Sequence, residues 1–426
     1  MTDIQQERTR LRQAIKTCRF ELLPARSAFG ELEEDALRLY EDCCMQLISE
    51  KKTSTNTLFQ DAQSLKAIPL RAQLIVAASD NKYSLCGLSA YQQSDTYKLC
   101  KLCLRGKTAV NALMRSMSIK LLDALDLKLY DCGLATELKE GLFEHTIPGK
   151  FRVSNDASLG PAMSKEAAVF YLSLGAAYAE DLYEEACDKN AALIWALGEF
   201  GIANSTAASM VLASLLGREK LVEGDISYRH GLLSDKQYAD KRACINKALK
   251  RYKSRAIIDE ISESLELSGL SKLGKLTKLT NLELSADAEL DKHTYAFGTR
   301  LADPLFTQSK SFELLCQLGS YEIAFLIGVL QFALQKGVPC ILDGLLSIAS
   351  AALCLEYKPE YKALLYASHY SSEPLARYAL ERYGLEPGIN SGLSAGEACG
   401  ALLHLQQLCT VLQCLMDLKR GEGLRE

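Results

Sequence analysis

The sequence predicts an α/β protein: a doubly wound, parallel sheet of about six strands flanked by helices, with a small helical domain assembled from both chain ends. Three observations predict it. Short apolar runs of strand length recur between stretches with helical periodicity. The runs end in polar or glycine-bearing clusters, Ser79-Asp80-Asn81, Gly198-Glu199 and Asp343-Gly344, which is where open α/β sheets place their sites. Helical stretches are also left over at both termini, available to pair as a bundle.

Taken in order, residues 5–52 read as two helices around a turn at Pro24 to Gly30, with Leu32, Leu37, Leu39 and Tyr40 forming a stripe for packing. Ala72 to Ala78 is a first strand, and a loop through Gly87 to Gln92 leads into one long helical segment reaching Met117. Leu127 to Cys132 is a second strand. Gly160 to Ser164 open the next helix, Ser164 being a good N-cap with Glu166 supplying first-turn negative charge. The stretch Ala191 to Leu216 organises the rest: an apolar strand to Leu197, a glycine turn (Gly198 to Gly201), then Asn204, Ser205 and Thr206 heading an Ala-rich helix. Strand, glycine turn and helix N-terminus in that order can hold a phosphate on unpaired N–H groups at the positive end of the helix. Glu199 would repel such an anion, so it is expected to face a developing cation or a hydrogen-bond donor. An ordinary strand-to-helix connection has the same pattern.

Leu221 to Ser227 is a weak strand, and Asp235 to Tyr252 a basic amphipathic helix whose charges mostly read as a solvated face. Leucines every three residues between 255 and 309 resemble one leucine-rich unit; repeats need several copies to bury a face, so this stretch reads as an insertion. A helix from Ser311 to Lys336, a strand Cys340 to Leu342, a helix Leu345 to Cys354, a strand Ala363 to Ala367, a turn at Glu386 to Gly388 and a C-terminal helix headed by Gly396 complete the chain. The organisation expected is N-terminal helices over 1–60, core over 61–254 and 310–395 around the 255–309 insertion, and a terminal helix over 396–426 that joins the small helical domain.

Composition narrows the function classes. A net charge near −4 with both signs interspersed offers no broad basic surface for nucleic acid and no polybasic membrane patch. The N-terminus is too polar for a signal peptide, and the most apolar region, Tyr321 to Leu355, is broken by Gln331, Gln335, Lys336 and Asp343; a soluble, cytoplasmic protein is expected. Fifteen scattered cysteines suit reduced core thiols, and the lone pair Cys100 and Cys103 lacks the partners a zinc site needs. Gly106-Lys107-Thr108 imitates the end of a P-loop, but its first glycine would fall on Lys101. His145, His230, His293 and His404 show no metal spacing, and His369 reads as structural.

Eight collinear blocks then carry a resemblance: GLSAYQQ (87–93), LRGKTAVNALMR (104–115), GPAMS (160–164), GEFGIANSTAAS (198–209), GVPCILDGLLSIASAALC (337–354), SHYSSEP (368–374), GLEP (384–387) and GEACGALL (396–403). Together they resemble the nicotinate-nucleotide:dimethylbenzimidazole phosphoribosyltransferase family, which activates the lower ligand of cobalamin. The resemblance implies a six-stranded parallel sheet, a dimer, no cofactor, and transfer of ribosyl phosphate from nicotinate mononucleotide to an aromatic base or phenol with inversion. It implies that Glu397 is the general base and Glu199 the second active-site carboxylate. Gly201 to Thr206 (with Asn204 and Ser205) and Lys241 match phosphate-binding positions, Ser89 an acceptor contact, and Ser371 or Ser368 nucleotide contacts. Gly198, Asp80, Gly160, Asp343 and Gly396 belong to the same blocks or strand ends and are taken as substrate-binding.

The chain departs from the family's pattern at Asn81 and Lys82 (for His-Gly), Ser394 (for Arg), Ala398 and Cys399 (for Gly-Ser or Gly-Thr), Ser320 (for Gly) and Tyr97 (for an acceptor-facing Gln). These changes leave the acceptor open among benzimidazoles, purines and phenols. They also leave open a non-catalytic subunit that pairs with an active homologue.

Overall fold

The computed structural model describes residues 3–22, 30–58, 65, 67–138, 147–218, 220–226, 232–267, 301–391, 393 and 396–417. Helices α1 (Asp3–Leu22), α2 (Glu31–Ser49) and the single turn α3 (Thr55–Leu58) lead into β1 (Leu70–Ala78). Then come α4 (Ser94–Leu104), α5 (Ala109–Ser116), β2 (Leu122–Asp131), α6 (Lys165–Asp188), β3 (Ala192–Phe200), α7 (Ser205–Leu215) and α8 (Asp235–Leu267). The second half holds α9 (Lys310–Leu318), α10 (Tyr321–Lys336), β4 (Cys340–Leu342), α11 (Leu345–Tyr357), β5 (Leu365–His369), α12 (Pro374–Tyr383), β6 (Pro387–Ile389) and α13 (Cys399–Asp417).

The six strands form one all-parallel sheet in the order β2-β1-β3-β4-β5-β6. β1 and β3 are apolar almost throughout because both of their faces are covered by helices. Alternation along β3 divides the interior: Leu193, Trp195 and Leu197 point into a core shared with α6, α7, α10 and α11. Ala192, Ile194 and Ala196 point into a second core shared with α1, α2, α4 and α13. The chain winds outward from β1 to β2 and then returns to β3 on the other side of β1, so the direction of winding reverses there.

The terminal helices do pair, α1 on α2 and α2 on α13, and their apolar side chains merge into the core under one sheet face. Gln46 of α2 ties them to the sheet directly: its amide accepts from the Leu193 N–H and donates to the Leu193 carbonyl, both at 2.9 Å. Helix α13 alone among the described helices is long and apolar enough to cross a bilayer, and 67% of that stretch is buried inside the protein as a core helix.

Several local expectations are corrected. Glu199 sits in β3, paired opposite Ala77, and the strand runs on through Phe200 where a turn was expected. Leu221 to Ile226 form no strand, Ser227 lying outside the described residues; the sixth strand is instead β6, at the position read as a turn. The helix expected to reach Met117 is two helices, α4 and α5, because Gly106 turns left-handed (φ +71°). The helix expected from Ser311 to Lys336 is likewise split at Gly319 and Ser320, and the helix begun at Asp235 extends to Leu267. Most of the insertion, residues 268–300, lies outside the described residues, as do His145, His230, His293 and Ser394.

Candidate active site

A cavity of about 430 Å³ opens over the carboxyl ends of β3, β4 and β5. Glu199 enters it from β3, Asp343 from the residue after β4, His369 from β5, and Ser371 and Glu373 from the loop beyond. The turn Gly396–Glu397 lines it ahead of α13, and α4 contributes Asp95 and Leu99. Glu199 and Glu397, nearly two hundred residues apart, therefore share one cavity. Its walls are acidic, and no lysine or arginine among the described residues lines it.

The convergence depends on an unusual backbone. Gly396, Glu397 and Ala398 are consecutively left-handed (φ +63°, +63° and +66°). Such a conformation costs a residue with a Cβ about 1–2 kcal/mol, so something must hold it. Two absences of side chain allow it. A Cβ on Gly198 would lie 2.4 Å from the Ala398 nitrogen, so only glycine in β3 lets the turn settle on the strand. A Cβ on Gly400 would lie 2.2 Å from His369 Nδ1 and 2.9 Å from Asp343 Oδ1, so this glycine lets both side chains reach the turn. Asp343 then binds it: Oδ2 accepts from the Ala398 N–H at 3.2 Å and Oδ1 from the Ala401 N–H at 3.0 Å.

The Glu397 carboxylate accepts from the Val110 N–H at 3.4 Å, at the first turn of α5, whose start is fixed by a capping box between Thr108 and Asn111. Burial raises the Glu397 pKa above the usual carboxylate range, the Val110 and Ala109 amides oppose the rise, and the charge of Asp343 adds to it. A carboxylate shifted this way is a better proton acceptor near neutrality. Burial lowers the His369 pKa while neighbouring Asp343 opposes the change. His369 Nδ1 lies 2.8 Å from Ser368 Oγ, whose hydroxyl donates to the Asp343 carbonyl at 2.9 Å.

Of the residues expected from sequence, Gly198, Glu199, Gly201, Asp343, Ser371, Gly396 and Glu397 line the cavity. The others do not. Asn204 does not cap α7 by its side chain; its amide donates to Glu199 Oε2 instead. Lys241 of α8 is buried and donates to Ser205 Oγ at 3.0 Å at the start of α7, with Thr206 buried beside it. Ser89 is joined to α8 through its carbonyl, which accepts from Gln237 Nε2 at 2.7 Å. Tyr97 packs against the second core, as does Leu99, and of α4 only Asp95 and Leu99, one helical turn apart, line the cavity. Asp80 is buried below and accepts from the Ala135 N–H at 2.9 Å, Gly160 stands in an open loop, and Ser368 is committed to Asp343 and His369. His369, read from the sequence as structural, and Glu373, which the sequence did not single out, also line the cavity; both lie in the SHYSSEP block at the carboxyl end of β5 and just beyond it. The first turn of α11 (Gly344–Ser347) also lines the cavity, bringing a second helix N-terminus to the site.

The sequence profile of the family described as Phosphoribosyltransferase matches residues 7–276 and 287–422. Nicotinate-nucleotide--dimethylbenzimidazole phosphoribosyltransferase of Roseiflexus sp. (strain RS-1) is 26% identical over 80% of this chain and 78% of its own. The protein of the same name from Thermus thermophilus is 26% identical over 79% and 81%. The crystal structure of CobT from Thermus thermophilus superposes with a TM-score of 0.66 at 24% identity, covering 96% of each chain, and so shares the fold. The protein is a pentosyltransferase, and it belongs to the nicotinate-nucleotide:dimethylbenzimidazole phosphoribosyltransferase family.

Proposed function

We propose that the cavity transfers the phosphoribosyl group of nicotinate mononucleotide to an aromatic lower-ligand base of the dimethylbenzimidazole kind, giving an alpha-ribazole phosphate and nicotinate for assembly of the cobamide nucleotide loop. The observation that carries this reading is the presence of Glu199 and Glu397 on the walls of one cavity. The acceptor nitrogen attacks C1′ of the ribose, and the C–N bond to the pyridinium breaks with its electron pair passing to the departing nicotinate. The acceptor's N–H proton goes to Glu397. As that bond breaks, positive charge builds on the ribose, so the Glu199 carboxylate, held by Asn204, stabilises the transition state more than the ground state. An acidic wall without lysine or arginine also suits the pyridinium ring of the donor.

In this reading the phosphate lies at the start of α11, which lines the cavity, and against Gly201 and Ile202 ahead of α7, with the Lys241–Ser205 pair behind that wall supplying the local positive charge. Ser371 contacts the nucleotide, and Ser89 and Tyr91 border the acceptor entrance. The protein works as a dimer of this chain in the cytoplasm. Incubation with nicotinate mononucleotide and a panel of benzimidazoles, purines and phenols tests the reading. Free nicotinate should appear only with an acceptor present, in equal amount to the new riboside. No release with any acceptor would contradict the assignment and favour a non-catalytic partner subunit.

A further inference from the structure

The sequence groups Asp343 with the substrate-binding residues, but its carboxylate is already committed. Its two oxygens span the junction of the Glu397 turn and α13: one lies 3.2 Å from the Ala398 N–H at the end of the turn and the other 3.0 Å from the Ala401 N–H in the first turn of the helix, with the Gly400 amide between them. The residue itself is 2% exposed and locked to neighbouring strands: its N–H donates to the Leu197 carbonyl at 3.2 Å, and its carbonyl accepts from Ser368 Oγ at 2.9 Å. The carboxylate thus bridges rigid strand ends to a turn that would otherwise relax, because two of its three left-handed residues carry a Cβ.

We infer that Asp343 is a positioning residue that holds Glu397 in its left-handed, proton-accepting pose, and that it does not contact substrate. This inference rests on Glu397 being the base of the transferase reading. Release of the turn would let Glu397 leave both the cavity wall and the α5 amides, and a base displaced by even about 1 Å loses most of its effect. The groups around it would remain: His369 on β5, Cys399 on α13, Cys103 on α4 and Glu199 on β3. None of these can replace the two-point grip that ties the Ala398 amide of the turn to the Ala401 amide of α13.

The test compares wild type with Asp343→Asn, which keeps the shape of the side chain but turns an NH2 group toward a backbone donor. Hydrogen exchange on the peptide spanning Gly396 to Leu402, followed by mass spectrometry, should speed up at least about tenfold. Turnover should fall about tenfold or more, with KM for nicotinate mononucleotide within about threefold of wild type. Adding Ala398→Gly to Asp343→Asn should recover at least about threefold of the lost turnover, because glycine adopts the left-handed turn without strain. Unchanged exchange overturns the inference. So does a rise in KM at constant kcat, which would return Asp343 to substrate binding. If wild type itself releases no nicotinate, the transferase reading fails, and the exchange rates alone decide whether Asp343 holds the turn.

Discussion

Replacing Gly198 by alanine probes the packing that brings the two glutamates together. The new Cβ would lie 2.4 Å from the Ala398 nitrogen, 2.7 Å from its Cβ and 2.8 Å from its Cα. These atoms belong to a buried turn pinned by Asp343, so no flexible side chain can swing away. Restoring ordinary van der Waals contact requires the Gly396–Ala398 turn to move by about 1 Å, and a misplacement of that size in a catalytic group costs about 100-fold in rate. Overpacking should destabilise the fold by about 1–3 kcal/mol, partly offset by about 0.5–1 kcal/mol because alanine is less flexible than glycine in the unfolded chain. Steady-state nicotinate release, read together with the thermal midpoint, is the assay. Turnover within about twofold of wild type in a folded Gly198→Ala protein would refute the claim that this contact sets the position of Glu397.

Glu397→Gln should lower turnover by about 100-fold or more while calorimetric affinity for nicotinate mononucleotide changes little. Because burial raises the Glu397 pKa and the base acts deprotonated, wild-type turnover should fall as pH drops through a value above the usual glutamate range; a pH–rate profile flat through the acid range would contradict this. Lys241→Ala should weaken nucleotide binding by about tenfold or more in the same titration, and unchanged affinity would remove Lys241 from the phosphate site. Away from the site, Asp42 accepts from Tyr366 and Arg8, yet burial raises its pKa from 3.8 to about 6. A carboxyl raised on folding contributes stability that is full below its unfolded value and lost as pH rises through about 6, so acidification from pH 7 to pH 5 should stabilise the wild type by about 1 kcal/mol. Asp42→Asn should flatten that part of the thermal midpoint's pH dependence.

The long apolar strands were legible because both sheet faces bury them: β1 and β3 are apolar apart from Arg71 and Gln73 in the first and Glu199 near the end of the second. β6 was not. It is three residues long, and Pro387 and Gly388 mark a turn by any local rule; an edge strand tolerates proline because one side of its backbone makes no ladder bonds. The motifs around Glu199 and Glu397 singled both out, and both line the cavity. The reason they meet was not legible, since Gly198 against Ala398 and Asp343 against the Ala401 amide are contacts between distant segments that leave no local pattern. Tyr97 does not line the cavity, for a helical reason. Once α4 starts at Ser94, Asp95 and Leu99 share the cavity face and Tyr97 turns half away.

The proposed chemistry requires the two carboxylates to act on one sugar. A crystal structure of the Glu397→Gln variant with nicotinate mononucleotide and a benzimidazole bound tests it most directly. The ribose should lie between Glu199 and the side chain at position 397, each within about 4 Å of the reacting atoms, with the phosphate at the start of α11 and against Gly201 and Ile202. A nucleotide bound in another crevice, or a ribose touching only one of the two positions, would contradict it.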